Sequence, residues 1–244
     1  MSKMWFQGVA VVAMGFVASV AMAVPRSGEI ASPEYLFEPT NLQGFHLGFD
    51  GRTRFVNYPT WNDNLAVIGQ YHAVLAYDLI PGLAVYGLMG VGRMDADEPI
   101  GRNNKTNTQA APSYGAGLWA NFFDRMLMTN FETLDRVRFQ GTVQYSRFGT
   151  EMSDWNEVLG NVTVGIVNSV SGNKAFWPVE VTLYAGPSFS VVWADEALEV
   201  NQSSDVFGGI VGIDILFDKV LSFGASIELY SNGPAYSGSA MIRF

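Results

Sequence analysis

Apolar and polar side chains alternate with a period of two along most of the chain after residue 44. In the segment 45–55, Phe45, Leu47 and Phe49 fall on one face, while Asp50 and Arg52 fall on the other. Because successive side chains of a β-strand point to opposite faces, this pattern predicts a strand with an apolar face and a charged face. Ten segments carry such a pattern, five of them cleanly and five less regularly: 45–55, 65–77, 83–94, 113–123, 137–145, 155–168, 176–193, 205–217, 221–229 and 236–244.

The connections between these segments alternate in length. Short turns are expected at 78–82, 169–175 and 218–219, and longer polar loops at 56–63, 95–112 and 194–204. An even number of strands with short turns at one end and long loops at the other is the plan of a bacterial outer-membrane barrel. The connection 124–135 departs from this plan, since it is long at the short-turn end. Pro178 and Pro187 also weaken the pattern of their segment, because proline has no N–H to donate. A bulge, or a start near Val179, would accommodate them.

Two all-β architectures fit the alternation. A soluble sandwich or lipocalin-like barrel buries its apolar face, whereas a membrane barrel turns that face outward to lipid. Three features favour the membrane barrel: polar faces rich in small neutral residues, a final amphipathic strand that ends in Phe244, and aromatic residues near strand ends, where girdles form at the level of lipid headgroups. The candidates for these girdles are Phe45, Phe55, Tyr77, Tyr114, Phe122, Tyr145, Trp177, Trp193, Phe217, Tyr230, Tyr236 and Phe244.

The last strand, YSGSAMIRF, carries a family resemblance. It resembles the C-terminal strand by which outer-membrane proteins of Gram-negative bacteria are recognised for assembly. The residues of this assembly signal would be Tyr236, Ala240, Ile242 and Phe244. Together with the alternation, it makes residues 45–244 similar to the superfamily of small OmpA-type and porin-like barrels. The resemblance implies a closed antiparallel transmembrane β-barrel of about 10 strands. Its expected partners are outer-membrane lipid, lipopolysaccharide and the barrel-assembly machinery.

Residues 1–23, which read MSKMWFQGVAVVAMGFVASVAMA, precede the first predicted strand. Lys3, an apolar stretch and the small residues around Met22 follow the order of a cleaved secretory signal peptide. An uncleaved anchor is the alternative, since the stretch from Met4 to Ala23 is just long enough to span a bilayer. Residues 24–44 hold three prolines without any period, and we interpret them as a periplasmic leader or as a plug within the lumen.

Composition narrows the classes of function. The chain has 244 residues, with 14 Lys and Arg against 23 Asp and Glu, a formal net charge of −9, and no cysteine. An acidic chain lacks the basic face that nucleic acid requires. The lack of cysteine excludes disulfides, thiolate metal sites and cysteine nucleophiles.

In a membrane barrel the polar faces line the lumen, so we expect charged side chains there. The predicted lumen network consists of Asp50, Arg52, Arg54, Arg136, Arg138, Glu180, Asp214, Glu228 and Arg243. Unpaired buried charges are costly, and a barrel of this size leaves little room for water, so we expect these side chains to pair and fill the lumen. The alternative is a constriction that selects ions by charge.

The chain has two histidines, His46 and His72, which we expect to face the lumen near the short-turn end and almost opposite each other. With only Asp78 nearby they are a weak metal site, and hydrogen-bonded lumen histidines are the favoured interpretation. No serine, histidine and acid can be brought together at the rim, so we predict no catalytic residues and no enzyme activity. Gly90 and Gly92 are expected to permit close packing inside the barrel.

The predicted outer loops are acidic: Asp95, Asp97, Glu98, Glu151, Asp154, Asp195, Glu196 and Glu199. They form a solvated rim or, alternatively, bind divalent cations that bridge lipopolysaccharide, and no other cofactor is expected. Three functions fit the sequence, in this order: a structural or surface-interaction barrel with a closed lumen, a narrow passive channel for ions or small solutes, and a membrane enzyme.

Overall fold

The alternating segments form the strands of one closed sheet. The computed structural model describes residues 44–58, 64–80, 82–100, 105–126, 135–150, 154–169, 178–194, 207–217 and 221–244. Its strands are β1 (Phe45–Tyr58), β2 (Asn64–Ile80), β3 (Leu83–Ile100), β4 (Lys105–Asn107), β5 (Ala111–Met126), β6 (Asp135–Gly149), β7 (Asp154–Ser169), β8 (Pro178–Ala194), β9 (Phe207–Phe217), β10 (Leu221–Tyr230) and β11 (Gly233–Arg243). Among the residues described, no helix is long and apolar enough to cross a membrane.

Antiparallel pairing runs around the whole sheet and closes it. Each long strand pairs with the next long strand along the chain, and β1 also pairs with β11, from His46 opposite Arg243 to Arg54 opposite Ala235. The short β4 pairs with β3 alone. The ten long strands therefore form a closed antiparallel barrel, as the sequence predicts, and closure leaves no unpaired sheet edge.

Both ends of the barrel chain lie at one rim, which we call the terminal end. There the N–H of Phe244 donates to the carbonyl of Phe45 at 3.0 Å. The opposite rim, which carries the connections after β1, β3, β6, β8 and β10, is the loop end. The predicted alternation of turn lengths holds only in part. At the loop end, residues 150–153 connect β6 to β7 and only Ser231 and Asn232 connect β10 to β11, whereas at the terminal end residues 170–177 connect β7 to β8. At the terminal end β5 continues to Met126 and β6 begins at Asp135, so the predicted long connection is reduced to residues 127–134, which lie outside the described residues.

The outer face of the barrel is apolar. Phe49 is 66% exposed and Leu183 60% exposed, and Met89, Leu118, Val143, Val164 and Ile227 are also exposed. Aromatic pairs lie toward both rims, with Phe45 against Tyr77 at the terminal end and Phe55 against Tyr236 toward the loop end. About 10 residues separate Phe45 from Phe55 along β1, which is ~33 Å of strand and ~25 Å of height at the usual tilt of membrane barrels. That height matches the hydrocarbon layer of a membrane.

Bulges shift the phase of the alternation in three pairings of the long strands. In the β2–β3 pairing the register shifts between Asp78 and Ile80, and Leu79 and Ile80 are both exposed. In the β5–β6 pairing the register shifts between Asn121 and Phe123, so that Phe122 and Phe123 are both exposed on the outer face. In the β8–β9 pairing the register shifts between Pro178 and Glu180. The predicted bulge and late start near Val179 are therefore confirmed, and they accommodate Pro178 at the beginning of its strand.

Candidate functional site

The lumen is the place where the charged side chains of the barrel meet. Six side chains form a cluster toward the loop end, which we call the crossing cluster: Arg52, Arg54, Glu157, Ser190, Glu228 and Tyr230. Arg52 Nη1 donates to both carboxylate oxygens of Glu157 at 2.8 Å, and its Nη2 donates to Glu228 Oε2 at 2.8 Å. Arg54 Nη1 donates to Glu157 Oε1 at 2.8 Å and to Ser190 Oγ at 2.6 Å. All six side chains are buried.

The crossing cluster spans the full width of the barrel. Counting around the closed sheet, β7 is five strands from β1 in either direction, so Arg52 and Glu157 come from opposite walls. Their contact at 2.8 Å therefore runs across the diameter of the lumen. Salt bridges of this kind fill the cross-section that they occupy with protein atoms, because terminal nitrogens of both guanidinium groups donate to carboxylates inside the barrel.

Tyr230 belongs to this cluster and not to an aromatic girdle, so its predicted position is wrong. Its side chain is 7% exposed, and its hydroxyl donates to Glu228 Oε2 at 2.9 Å. Its ring lies under the guanidinium of Arg54, with 4.9 Å from Cζ to the ring centroid. The physical reason is phase: on β10, Tyr230 shares the inward face with Glu228. Asn232 in the adjoining turn also accepts from Arg54, at 3.3 Å, and links the turn to the lumen.

A second group of charges lies toward the terminal end, and we call it the lower cluster: Asp124, Arg136, Arg138 and Glu180. Arg138 Nε donates to Asp124 Oδ2 at 2.9 Å, and its Nη2 donates to Glu180 Oε1 at 2.9 Å. Arg136 contacts the same two carboxylates. Arg138 is 0% exposed, so its positive charge depends on these two carboxylates for compensation.

The two histidines occupy separate levels of the lumen, and the prediction that they lie almost opposite each other is wrong. His46 pairs with Ala76 across β1 and β2, whereas His72 pairs with Asp50, four residues further along the strand. Four residues of strand span ~13 Å. His46 Nε2 lies 3.1 Å from Asp78 Oδ2, which also accepts from Arg243 at 3.2 Å. Within the described residues there is no group of three side chains able to hold a metal ion.

His72 takes part in a row of polar residues that crosses four neighbouring strands. Asp50, His72, Gly90 and Ser113 occupy paired positions on β1, β2, β3 and β5. His72 Nε2 lies 2.7 Å from Ser113 Oγ, and its Nδ1 lies 3.9 Å from Asp50 Oδ2. The first distance is a hydrogen bond, whereas the second is too long for one.

Gly90 and Gly92 leave space for neighbouring groups inside the barrel: the backbone of Tyr71 and His72 beside Gly90, and the ring of Phe148 beside Gly92. A Cβ at Gly90 would lie 1.9 Å from the carbonyl oxygen of Tyr71 and 2.8 Å from His72 Cα. A Cβ at Gly92 would lie 2.4 Å from the ring of Phe148. The predicted role of these glycines in close packing is therefore confirmed.

Part of the lumen is apolar, whereas the predicted lumen network contains charged side chains alone. Val56, Ala66, Ile68, Met94, Phe148 and Trp155 form a buried group at the loop end, which we call the loop-end apolar cluster. The rings of Phe148 and Trp155 stack at 6.4 Å between centroids. Val74, Ala76, Tyr86, Leu88 and Met241 form a second buried group nearer the terminal end. The expectation of a lumen filled by charges alone is thus too simple.

A small cavity lies in the middle of the lumen, below the crossing cluster. Its volume is about 40 Å³, and its lining includes Asp50, Arg52, Asn161, Ser226 and Ser237. A water molecule needs roughly 10–15 Å³ of such space, so the cavity has room for a few waters or a hydrated ion.

The predicted network is thus divided between several levels of the lumen. The crossing cluster contains Arg52, Arg54 and Glu228, and the lower cluster contains Arg136, Arg138 and Glu180. Asp50 lines the cavity, and Arg243 forms a salt bridge with Asp78. Asp214 is buried on the inward face of β9, at the position paired with Thr182 and Gly224. Three carboxylates that complete these groups are absent from the predicted lumen network: Glu157, Asp124 and Asp78, the last of which was predicted only to lie near the histidines. Glu157 shares its lumen face with Trp155, Asn161 and Thr163, a polar alternation that could have revealed it.

The acidic rim is described only in part. Asp95 is paired with Arg93 at 3.0 Å, and Asp154 lies 3.9 Å from Arg147, all four side chains being exposed. The described part of the chain does not include the other acidic side chains of the rim, which are those of Asp97, Glu98, Glu151, Asp195, Glu196 and Glu199. It also does not include residues 1–43, which contain the predicted signal peptide and most of the predicted leader, or Trp177 of the predicted girdles. Tyr236, Ile242 and Phe244 of the predicted assembly signal are exposed on the outer face.

No family model and no curated protein matches this chain. Among solved structures, the chain is similar to the transport unit of the autotransporter AIDA-I from Escherichia coli, with 13% identity, 88% of this chain and 95% of that chain covered, and a TM-score of 0.43. A likeness at this identity and score assigns no role. The description of this chain as a closed barrel rests on its own strand pairing.

Proposed function

We propose that this chain is an outer-membrane barrel with a structural or surface-interaction role and a lumen that does not conduct. The observation that carries the proposal is the contact of Arg52 with Glu157 across the diameter of the barrel. An open pore needs a continuous water-filled path, whereas the crossing cluster and the loop-end apolar cluster occupy the lumen at successive levels.

The outer face supports placement in a membrane. A soluble barrel would direct its large apolar side chains inward, but here Phe49, Met89 and Phe207 are among the most exposed side chains. Charged side chains such as Arg138 and Glu157 are instead buried in the lumen. This arrangement is the inverse of a soluble sheet and is typical of barrels in contact with lipid. The partners that follow are outer-membrane lipid, lipopolysaccharide at the loop end, and the barrel-assembly machinery through β11.

Conductance of the purified barrel in a planar lipid bilayer tests the closed lumen. We expect no stepwise current from the wild type under conditions where a general porin, inserted as a positive control, gives clear steps. Regular steps from the folded wild type would contradict the proposal and favour the narrow passive channel. Insertion is verified independently by protease protection of the barrel in the same lipid, so that a silent bilayer cannot result from failed insertion.

Variants of the barrel locate the seal. Replacing Arg52 and Arg138 by alanine removes one guanidinium from each charge cluster, and the matched control is Arg93→Ala at the exposed rim. If paired charges close the lumen, the double variant acquires current and the rim variant stays silent. A silent double variant that is still folded would assign the seal to the apolar groups instead.

We also propose that the barrel is not an enzyme and needs no resident cofactor. The Asp50, His72 and Ser113 row has the residue types of a serine hydrolase, but Ser113 is buried and the Asp50 to His72 distance of 3.9 Å exceeds a hydrogen bond. Labelling of Ser113 by a fluorophosphonate probe in the folded protein would contradict this proposal. Unlabelled protein beside a labelled serine hydrolase is the expected result.

A further inference from the structure

The central cavity contains one negative charge that the neighbouring salt bridges do not balance. In the crossing cluster, the two arginines Arg52 and Arg54 face the two glutamates Glu157 and Glu228. Asp50 lies just outside this balanced set and lines the cavity. Within the described residues, the one side chain at ion-pair distance from Asp50 is His72, whose Nδ1 lies 3.9 Å away and forms no hydrogen bond. A buried carboxylate without compensation is costly, so its surroundings must supply a positive charge.

Oxygen atoms without protein partners line parts of the same cavity, whose lining also includes Arg52, Leu159 and Ile210. Ser226 and Ser237 are each 6% exposed, and their Oγ atoms have no hydrogen-bond partner in the barrel. They pair with each other across β10 and β11, so both hydroxyls enter the cavity from one wall. Thr142 Oγ1, also without a partner, lines the cavity from β6 on another wall. Hydroxyl, amide and carboxylate oxygens are the ligands that hard cations prefer.

We propose that the central cavity binds a small monovalent cation such as Na⁺, with Asp50 as its charged ligand and the Ser226 and Ser237 hydroxyls as neutral ligands. A single excess negative charge calls for one positive charge, which favours a monovalent over a divalent ion. The volume of about 40 Å³ accommodates the ion with one or two waters. The proposal does not depend on the closed lumen, since an ion can reside in a conducting or a silent barrel.

Thermal unfolding of the folded protein in detergent tests the site. The midpoint is measured in NaCl and in N-methylglucamine chloride at equal ionic strength and the same pH. Because a ligand stabilises the state that binds it, we expect the wild-type midpoint to rise in NaCl by about 3–5 °C for each tenfold increase above the dissociation constant. Equal midpoints in the two salts would overturn the proposal.

Substitutions separate this site from weak binding at the acidic rim. Asp50→Asn should abolish the difference between the two salts, whereas Asp95→Asn at the exposed rim should leave it intact. Ser226→Ala should reduce the difference, and Ser222→Ala, which changes a buried serine on the same face of β10 that does not line the cavity, should not. A salt effect that survives Asp50→Asn, or one produced by CaCl₂ at equal ionic strength and not by NaCl, would contradict the assignment.

Excess broadening of the ²³Na NMR line gives a readout that does not depend on stability. The wild-type barrel should broaden the line, and added N-methylglucamine should leave the broadening unchanged because the larger ion does not fit. Asp50→Asn should return the line to the width seen with detergent alone. Equal broadening by the wild type and Asp50→Asn would overturn the proposal even if both variants fold.

Discussion

Breaking the contact between Arg52 and Glu228 perturbs the barrel in a way that can be measured with charge-balanced variants. Arg52→Met leaves Glu157 and Glu228 with only Arg54, and Glu228→Gln leaves two arginines with only Glu157. The double variant keeps the Arg54 to Glu157 pair at 2.8 Å and restores local neutrality. The double variant should therefore lose much less free energy of unfolding than the two single variants lose in sum.

The magnitude follows from distance and burial. At the 2.8 Å that separates Arg52 Nη2 from Glu228 Oε2, two unit charges attract by ~6 kcal/mol at an effective dielectric constant of ~20. Other members of the cluster compensate in part, so we expect a coupling energy of about 2–3 kcal/mol in a double-mutant cycle. Each single variant should lose about 3–5 kcal/mol, because removal of one partner leaves a buried charge uncompensated.

The assay is equilibrium unfolding by urea from lipid vesicles, followed by tryptophan fluorescence, for which Trp119, Trp155 and Trp193 lie in the strands. The control cycle uses the exposed pair Arg93 and Asp95, whose atoms are 3.0 Å apart. An exposed pair contributes about 0–1 kcal/mol because water screens it. A coupling for Arg52 and Glu228 no larger than that of the exposed pair would refute the argument that the lumen is dry and closed at this level.

Three further substitutions test the packing of the lumen by the same unfolding assay. Gly92→Ala should lower the free energy of unfolding by about 1–3 kcal/mol, because the added Cβ overpacks against Phe148. Gly87→Ala should leave it nearly unchanged, because a Cβ there meets no atom within 4 Å. Equal losses in the two variants would contradict the clash at Gly92. Ser113→Ala should cost about 1–3 kcal/mol by leaving His72 Nε2 without its partner, and an unchanged midpoint would show that water replaces the hydroxyl. Phe148→Ala should cost about 3–5 kcal/mol, and a much smaller loss would mean that the loop-end apolar cluster is loosely packed.

The period of the sequence suffices to assign most residues to a face of the barrel, because that assignment depends only on the geometry of a single strand. The polar positions of the alternation include Arg52, Arg138 and Glu228, and these side chains are buried in the lumen. The apolar positions of the same strands include Phe49, Phe139 and Ile227, and these side chains are exposed on the outer face. The number of long strands likewise follows from counting the segments. These features are local or additive, so a single sequence contains them.

The partners within the lumen could not be predicted in the same way. Arg52 contacts Glu157 across the barrel, and this contact depends on how far neighbouring strands are staggered, which no local pattern reveals. Asp124 was missed because it was assigned to the connection 124–135, whereas β5 continues past the bulge between Asn121 and Phe123 to Met126. Glu157 was missed because apolar residues occupy both faces of its segment, with Trp155 buried beside it and Val162 exposed.

Site-directed spin labelling can test both the contact of the outer face with lipid and the closure of the lumen. Because the chain contains no cysteine, single labels can be introduced without further changes. Labels replace Leu183 on the outer face and Ser237 in the lumen, and their collision rates with O₂ and with a water-soluble nickel complex are measured in lipid vesicles. We expect the label at 183 to meet O₂ but not nickel, as in lipid, and the label at 237 to meet neither. Nickel access at 183 would contradict contact with lipid, and nickel access at 237 would contradict a closed lumen.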